Sequence, residues 1–155
     1  MKKITAVFFF IMFVGLLLAQ KTTIPKFPIT LFEKSRGTQT PTYFEIIEWW
    51  KNLDQKSEFV KMLTMGMTDA GFPLHLVIVS SDKDFNFESI RKKNKRVILI
   101  NNGIHPGEPD GIDASMLLAR DFAPPFNLVP ERNPNQPTWI TQNLPSNVVL
   151  AIIPV

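Results

Sequence analysis

Val97-Ile98-Leu99-Ile100-Asn101-Asn102-Gly103-Ile104-His105-Pro106-Gly107-Glu108-Pro109-Asp110-Gly111 is the stretch that decides the fold of this 155-residue chain. Four consecutive apolar residues, Val97 to Ile100, predict an interior strand covered on both faces. The polar Asn-Asn-Gly that follows ends it, and a helical pattern resumes from Asp110 to Phe122. A strand, a glycine-containing loop and a helix form the arrangement in which α/β proteins present chemistry at a strand's carboxyl end. Within the loop, a histidine and a glutamate three residues apart can turn an imidazole nitrogen and a carboxylate toward one point, and catalytic zinc takes such ligands. The glycines let the backbone pass close to an ion, and Pro106 and Pro109 stiffen it. Taken alone, His-x-x-Glu is a short pattern that also arises by chance. It equally describes a loop whose Glu108 sits near a helix start and whose His105 only hydrogen-bonds.

Upstream, Thr42-Tyr43-Phe44-Glu45 after Pro41 matches a helix capping box. Ile46, Ile47, Trp50 and Leu53 recur at three- and four-residue spacing, which predicts an amphipathic helix facing the core, with Trp49 at the core edge. Phe59 to Met67 and Leu74 to Ser80 read as two strands, and Asp69-Ala70-Gly71 supplies the turn of a hairpin. His75 lies in the second strand without an acidic neighbour at ligand spacing, so a structural histidine is expected. Asp82-Lys83-Asp84-Phe85-Asn86 opens like a calcium loop, but Phe87 and Lys93 stand where Gly and Glu are required, so the segment is expected to be an ordinary loop.

At the amino end, Met1-Lys2-Lys3 precedes an apolar run from Ile4 to Leu18, then Ala19 and a polar stretch. This predicts a cleaved signal peptide over residues 1–20 and a secreted or periplasmic protein, with no stable membrane span after cleavage. An uncleaved N-terminal anchor is the other reading. Residues 21–39, with Pro25 and Pro28, read as an irregular lead-in. Pro124 to Pro145 holds six prolines, too many for a regular element, though Thr138 to Asn143 is compatible with a short helical turn. Val148 to Ile153 reads as a second buried strand.

The chain carries 17 basic and 14 acidic residues. Removing residues 1–20 leaves 15 against 14, so the basic balance says little about partners. The Arg91-Lys92-Lys93 and Lys95-Arg96 cluster has no interleaved aromatic residues and abuts a strand, which favours a solvated turn over a nucleic-acid surface. No cysteine is present, which excludes disulfides, thiolate catalysis and cysteine zinc sites. Any metal must be held by His, Asp or Glu, and the two histidines are His75 and His105.

Thr40-Pro41-Thr42-Tyr43 before an amphipathic helix, then Gly66 and Gly71-Phe72-Pro73-Leu74 across a hairpin, then a buried strand into Gly103-Ile104-His105-x-x-Glu108, resembles the opening half of the zinc carboxypeptidases of the carboxypeptidase A type. The resemblance runs from about Thr40 to Val155. Gly107-Glu108 followed by Asp110-Gly111 and Asp113-Ala114 is similar to a bacterial branch of that superfamily. It implies that residues 40–155 are the N-terminal portion of a catalytic domain. The implied fold is an α/β three-layer sandwich with a mixed, mostly buried sheet of the phosphorylase/hydrolase-like kind, incomplete in this chain.

The resemblance implies zinc (Zn2+) bound by His105 and Glu108, a second histidine from a later strand, and a peptide or peptide-like substrate. In the family the metal polarises the scissile carbonyl and activates a water, with a distant glutamate as general base. The 155 residues include none of the later groups, so the fragment is expected to be inactive by itself. One departure stands inside the motif: family members carry an arginine just before the zinc-binding glutamate, and Gly107 occupies that position here. Asp110 is expected to be a helix N-cap. For Asp113, contact with the metal's ligands and a solvated helix position both stay open. Two further readings are retained: an amidohydrolase that removes acyl groups from amino acids, and a non-catalytic exported binding module or remnant. A half-sheet is expected to expose apolar surface and to aggregate readily.

Overall fold

A computed structural model describes residues 28–105, 107–124 and 144–155. The expected signal peptide, most of the lead-in, Pro106 and the turn expected at Thr138 to Asn143 lie outside the described residues. The elements run α1 (Leu31–Lys34), α2 (Tyr43–Lys56), β1 (Val60–Met67), β2 (Pro73–Ser80), α3 (Phe87–Lys92), β3 (Arg96–Asn101), α4 (Asp110–Phe122) and β4 (Val148–Ile153). The strands form one mixed sheet in the order β1-β2-β4-β3.

The expected hairpin forms: β1 and β2 are antiparallel, with a register slip between Thr64 and Gly66 that leaves Met65 as the extra residue. β4 then inserts beside β2 in antiparallel register, Val77 opposite Ile152, and accepts β3 on its other side in parallel register, Asn101 opposite Ile153. Alternation along β2 and β4 sorts their side chains. Val77, Val79, Leu150 and Ile152 point into the main core with α2 and α4. Ile78 and Val149 meet Ile90 of α3 in a smaller cluster.

The Thr42 cap operates as read: the Glu45 carboxylate accepts from the Thr42 N–H and hydroxyl, both at 2.8 Å. Ile46, Ile47, Trp50 and Leu53 are the buried face of α2, and Trp49 is half-buried with its indole N–H on the Pro28 carbonyl.

Two expectations are corrected. First, β3 lies at an edge of the sheet that the described residues form. Among the described residues it pairs with β4 alone, and Val97, Ile98 and Leu99 are 51, 49 and 62 % exposed. An unbroken apolar run shows that a strand tolerates cover on both faces, not that cover is supplied. Second, the lead-in holds α1, a single turn built on a complete Thr30/Glu33 capping box. Its four residues are too few for any periodicity, and it is held from outside: Arg120 of α4 donates to both Glu33 carboxylate oxygens at 2.6 and 2.9 Å and to the Pro28 carbonyl. Asp82 to Asn86 is the loop expected, and Asn86 at its end caps α3, a helix without a sequence expectation, by accepting from the Ser89 N–H. Charges fix this corner. The Asp84 carboxylate takes Lys93 and the Ser89 hydroxyl at 2.6 Å each, and Lys95 lies 2.5 Å from Asp82. The Lys95 ammonium holds the Asp82 carboxyl well below the usual carboxylate range.

Burial raises the Glu33 carboxyl, but the hydrogen bonds and charge from Arg120 and the Thr30 N–H outweigh it and leave the pKa below the ordinary 4.5. A depressed folded-state pKa adds stability that is complete above 4.5 and lost as pH falls beneath it. Glu33→Gln is therefore expected to cost about 1–3 kcal/mol near neutral pH, the range for hydrogen bonds to charged groups. The gap to wild type should narrow between roughly pH 5 and pH 3. Urea unfolding across that range checks both, and a gap independent of pH contradicts the assignment.

Candidate metal centre

Parallel pairing of β3 with β4 makes their carboxyl ends open at the same edge of the sheet. β2 runs against β4, so the hairpin turn lies at that edge too. Both long helices begin there: the Tyr43 hydroxyl, on the first residue of α2, donates to the Pro73 carbonyl, and the Thr40 hydroxyl donates to Asp113 in the first turn of α4 at 2.8 Å. Their far ends also meet, through the bond from the Ser57 hydroxyl to the Pro124 carbonyl. The loop between β3 and α4 therefore stands on a rim shared by four elements.

On this loop the structure brings His105 and Glu108 together, with His105 Nδ1 2.9 Å from Glu108 Oε2. Their side chains are 67 and 62 % exposed. Two atoms that each sit ~2.0–2.1 Å from a tetrahedral zinc are roughly 3.3 Å apart. The pair is thus near the separation that a shared ion needs, and one imidazole nitrogen with one carboxylate oxygen is a donor set that zinc accepts. These two residues fit the metal as two of its ligands. Among the described residues no group of three or more His, Asp or Glu side chains converges on one point. His75 is elsewhere: it is buried on β2, with Nδ1 3.2 Å from the Thr64 hydroxyl, and burial lowers its pKa. That is the structural role expected of it.

The two acids of the first turn of α4 occupy different places from those expected. The helix cap is Pro109, which has no side chain to cap with, and Asp110 is the first helical residue. There its carboxylate favours the positive helix end without a capping bond. Asp113 is not solvated. It is 6 % exposed, one oxygen accepts from Thr40, and the other has no hydrogen-bond partner among the described residues. Burial raises its pKa against the lowering by the Thr40 bond.

Two features went unread in the sequence. Asn102 is 7 % exposed, and its side-chain amide donates to the buried Ser115 hydroxyl at 2.8 Å. Gly111 and Ser115, four apart on one face of α4, form the surface against which that amide lies. A glycine and a hydroxyl at helical spacing, directly after a strand that ends in Asn, were the available signal. Gly107 has φ +80° with open space around its missing Cβ. Backbone conformation, not lack of room, makes glycine fit there.

A family model described as zinc carboxypeptidase matches residues 46–155. The chain belongs to the zinc carboxypeptidase family. No curated protein matches the chain.

The clefts lie away from the pair. One of about 580 Å³ is lined by Pro28, Phe44 and Trp49, and another of about 540 Å³ by Phe32, Leu117 and Arg120. His105 and Glu108 line neither of these two. No helix of the described residues is long and apolar enough to cross a membrane.

Gly107→Arg, which installs the family's usual residue, is expected to cost about 1–2 kcal/mol from the left-handed backbone alone, without a clash. Chemical denaturation checks this. A loss beyond about 4 kcal/mol would point to a steric conflict that the open space does not contain.

Proposed function

We propose that this chain is the N-terminal portion of an exported zinc-dependent carboxypeptidase-like hydrolase acting on peptide or peptide-like amide bonds. The observation that carries the reading is the convergence of His105 Nδ1 and Glu108 Oε2 at 2.9 Å on the loop after β3, inside a segment matched by the family model. The two residues hold the ion as neighbouring ligands. When bound, zinc supplies a Lewis acid and lowers the pKa of a coordinated water toward neutrality. The exposure of both side chains leaves their outer faces open to a further protein ligand and to substrate. His75 is buried on β2 against Thr64, away from the pair, so in this proposal a second histidine ligand would have to come from outside these 155 residues.

The same reading accounts for the open rim. A sandwich whose sheet continues past β3 would cover Val97, Ile98 and Leu99 and wall the metal pair on that side. Residues 1–20 act as the export signal in this proposal, and the mature charge of 15 basic against 14 acidic residues suits a peptide partner rather than nucleic acid. Gly107 removes the arginine that would sit beside the glutamate, so recognition of a substrate carboxylate falls to other groups.

Zinc affinity measured by competition with a chromogenic chelator tests the metal pair. His105→Ala and Glu108→Ala are each expected to weaken binding by more than the roughly 10–100-fold that outer contacts carry. Unchanged zinc affinity in both variants ends the proposal. In protein carrying the continuation, chelator treatment should abolish release of C-terminal residues from peptides. Faster turnover of acylated amino acids than of peptides would favour the deacylase reading instead.

A further inference from the structure

His105 and Glu108 are too exposed for packing to orient them, and among the described residues His105 and Glu108 hydrogen-bond only each other. A preorganised pair must therefore be held through the two ends of its loop. Both ends meet at one side chain. The Asn102 N–H donates to the Ile153 carbonyl at 3.2 Å, which extends the β3–β4 pairing by one residue and fixes where the strand stops. The Asn102 side-chain N–H donates at 2.8 Å to the Ser115 hydroxyl, which donates at 3.0 Å to the Ile112 carbonyl. All of this is buried. The Asn102 side-chain oxygen Oδ1 lies against Gly111 so closely that a Cβ there would stand 2.9 Å from it. Gly103, at φ +64°, then turns the chain outward, and a Cβ added there would lie 3.5 Å from Val155 and Ile112. One amide thus spans from the last paired residue of β3 to the first two turns of α4.

We propose that Asn102 is a positioning residue for the metal pair, acting with Ser115 and the slot at Gly111. Its amide sets the distance between the end of β3 and the start of α4, and the loop of residues 103–109 inherits from that distance the separation of His105 from Glu108. A buried Asn–Ser pair costs desolvation that two apolar side chains would avoid. What it provides is a directional contact that apolar packing cannot supply. The inference rests on the reading that His105 and Glu108 hold zinc.

The test is zinc affinity by chelator competition, paired with thermal unfolding of the zinc-free protein, on wild type, His105→Ala, Asn102→Ala, Ser115→Ala, Ser115→Thr and the double variant Asn102→Ala/Ser115→Ala. Outer contacts of metal ligands carry roughly 10–100-fold in affinity. Asn102→Ala and Ser115→Ala are each expected to weaken zinc binding by about tenfold, and the double variant by no more than either, because one contact is being removed. Ser115→Thr keeps the hydroxyl and should bind zinc as wild type does. A purely structural pair would lower the unfolding temperature and leave zinc affinity within about twofold, and that result overturns the proposal. If Asn102→Ala does not fold, Ser115→Ala against Ser115→Thr decides the matter alone. Zinc binding that is absent in wild type, or unaffected by His105→Ala, overturns the underlying metal assignment and this proposal with it. Zinc binding that needs His105 but ignores both Asn102 and Ser115 overturns this proposal only.

Discussion

The fold depends on one strand being accepted from both sides. β4 pairs antiparallel with the hairpin through β2 and parallel with β3, so without it the hairpin and the strand that carries the metal loop would share no sheet. Its sequence suits that position. Val149 and Ala151 face one side and Leu150 and Ile152 the other, all buried, and an apolar residue at every position is what a strand covered on both faces requires. The parallel half of this pairing has a functional consequence, because parallel neighbours end at the same edge. The carboxyl end of β3 therefore arrives beside that of β4, where Val155 lies next to Gly103 at the first bend of the His105–Glu108 loop.

From that edge the site is assembled by backbone placement more than by side-chain packing. α2 and α4 both start at the rim and are tied there by the Thr40–Asp113 bond. α4 is tied to the lead-in at its other end by Arg120 and Glu33. The helix that follows the His105–Glu108 loop is thus held at both ends, while these two side chains project into solvent from the loop ahead of it. A buried Asp113 whose carboxyl is pushed upward by burial is a cost that the Thr40 bond only partly offsets. Its position between two helix starts shows what that cost secures.

Much of this was legible in the chain, for reasons that differ by element. Ile46, Ile47, Trp50 and Leu53 span two full turns, so their period identified α2 and its buried face. The alternation in β2, the turn residues at Asp69 to Gly71 and the apolar run of β4 did the same for the strands. What escaped detection lacked either length or a local cause. α1 has four residues and is held by Arg120, 87 positions away. α3 buries Ile90 alone. The apolar run of β3 identified a strand but not its place at the edge of the described sheet, since such a run reports what a strand tolerates and not which neighbours it has. For the site, His105 and Glu108 carry their chemistry in their residue types and spacing. Asn102 and Ser115 do not, because their meeting depends on how α4 folds back along the sheet.

The proposal that His105 and Glu108 hold one zinc ion at the carboxyl end of β3 is open to direct measurement by zinc-edge X-ray absorption of the zinc-loaded chain. The account predicts a shell of nitrogen and oxygen at ~2.0–2.1 Å with outer scattering from one imidazole, and loss of that imidazole signal in His105→Ala. An imidazole signal that persists in His105→Ala would place the metal on His75 and contradict the account.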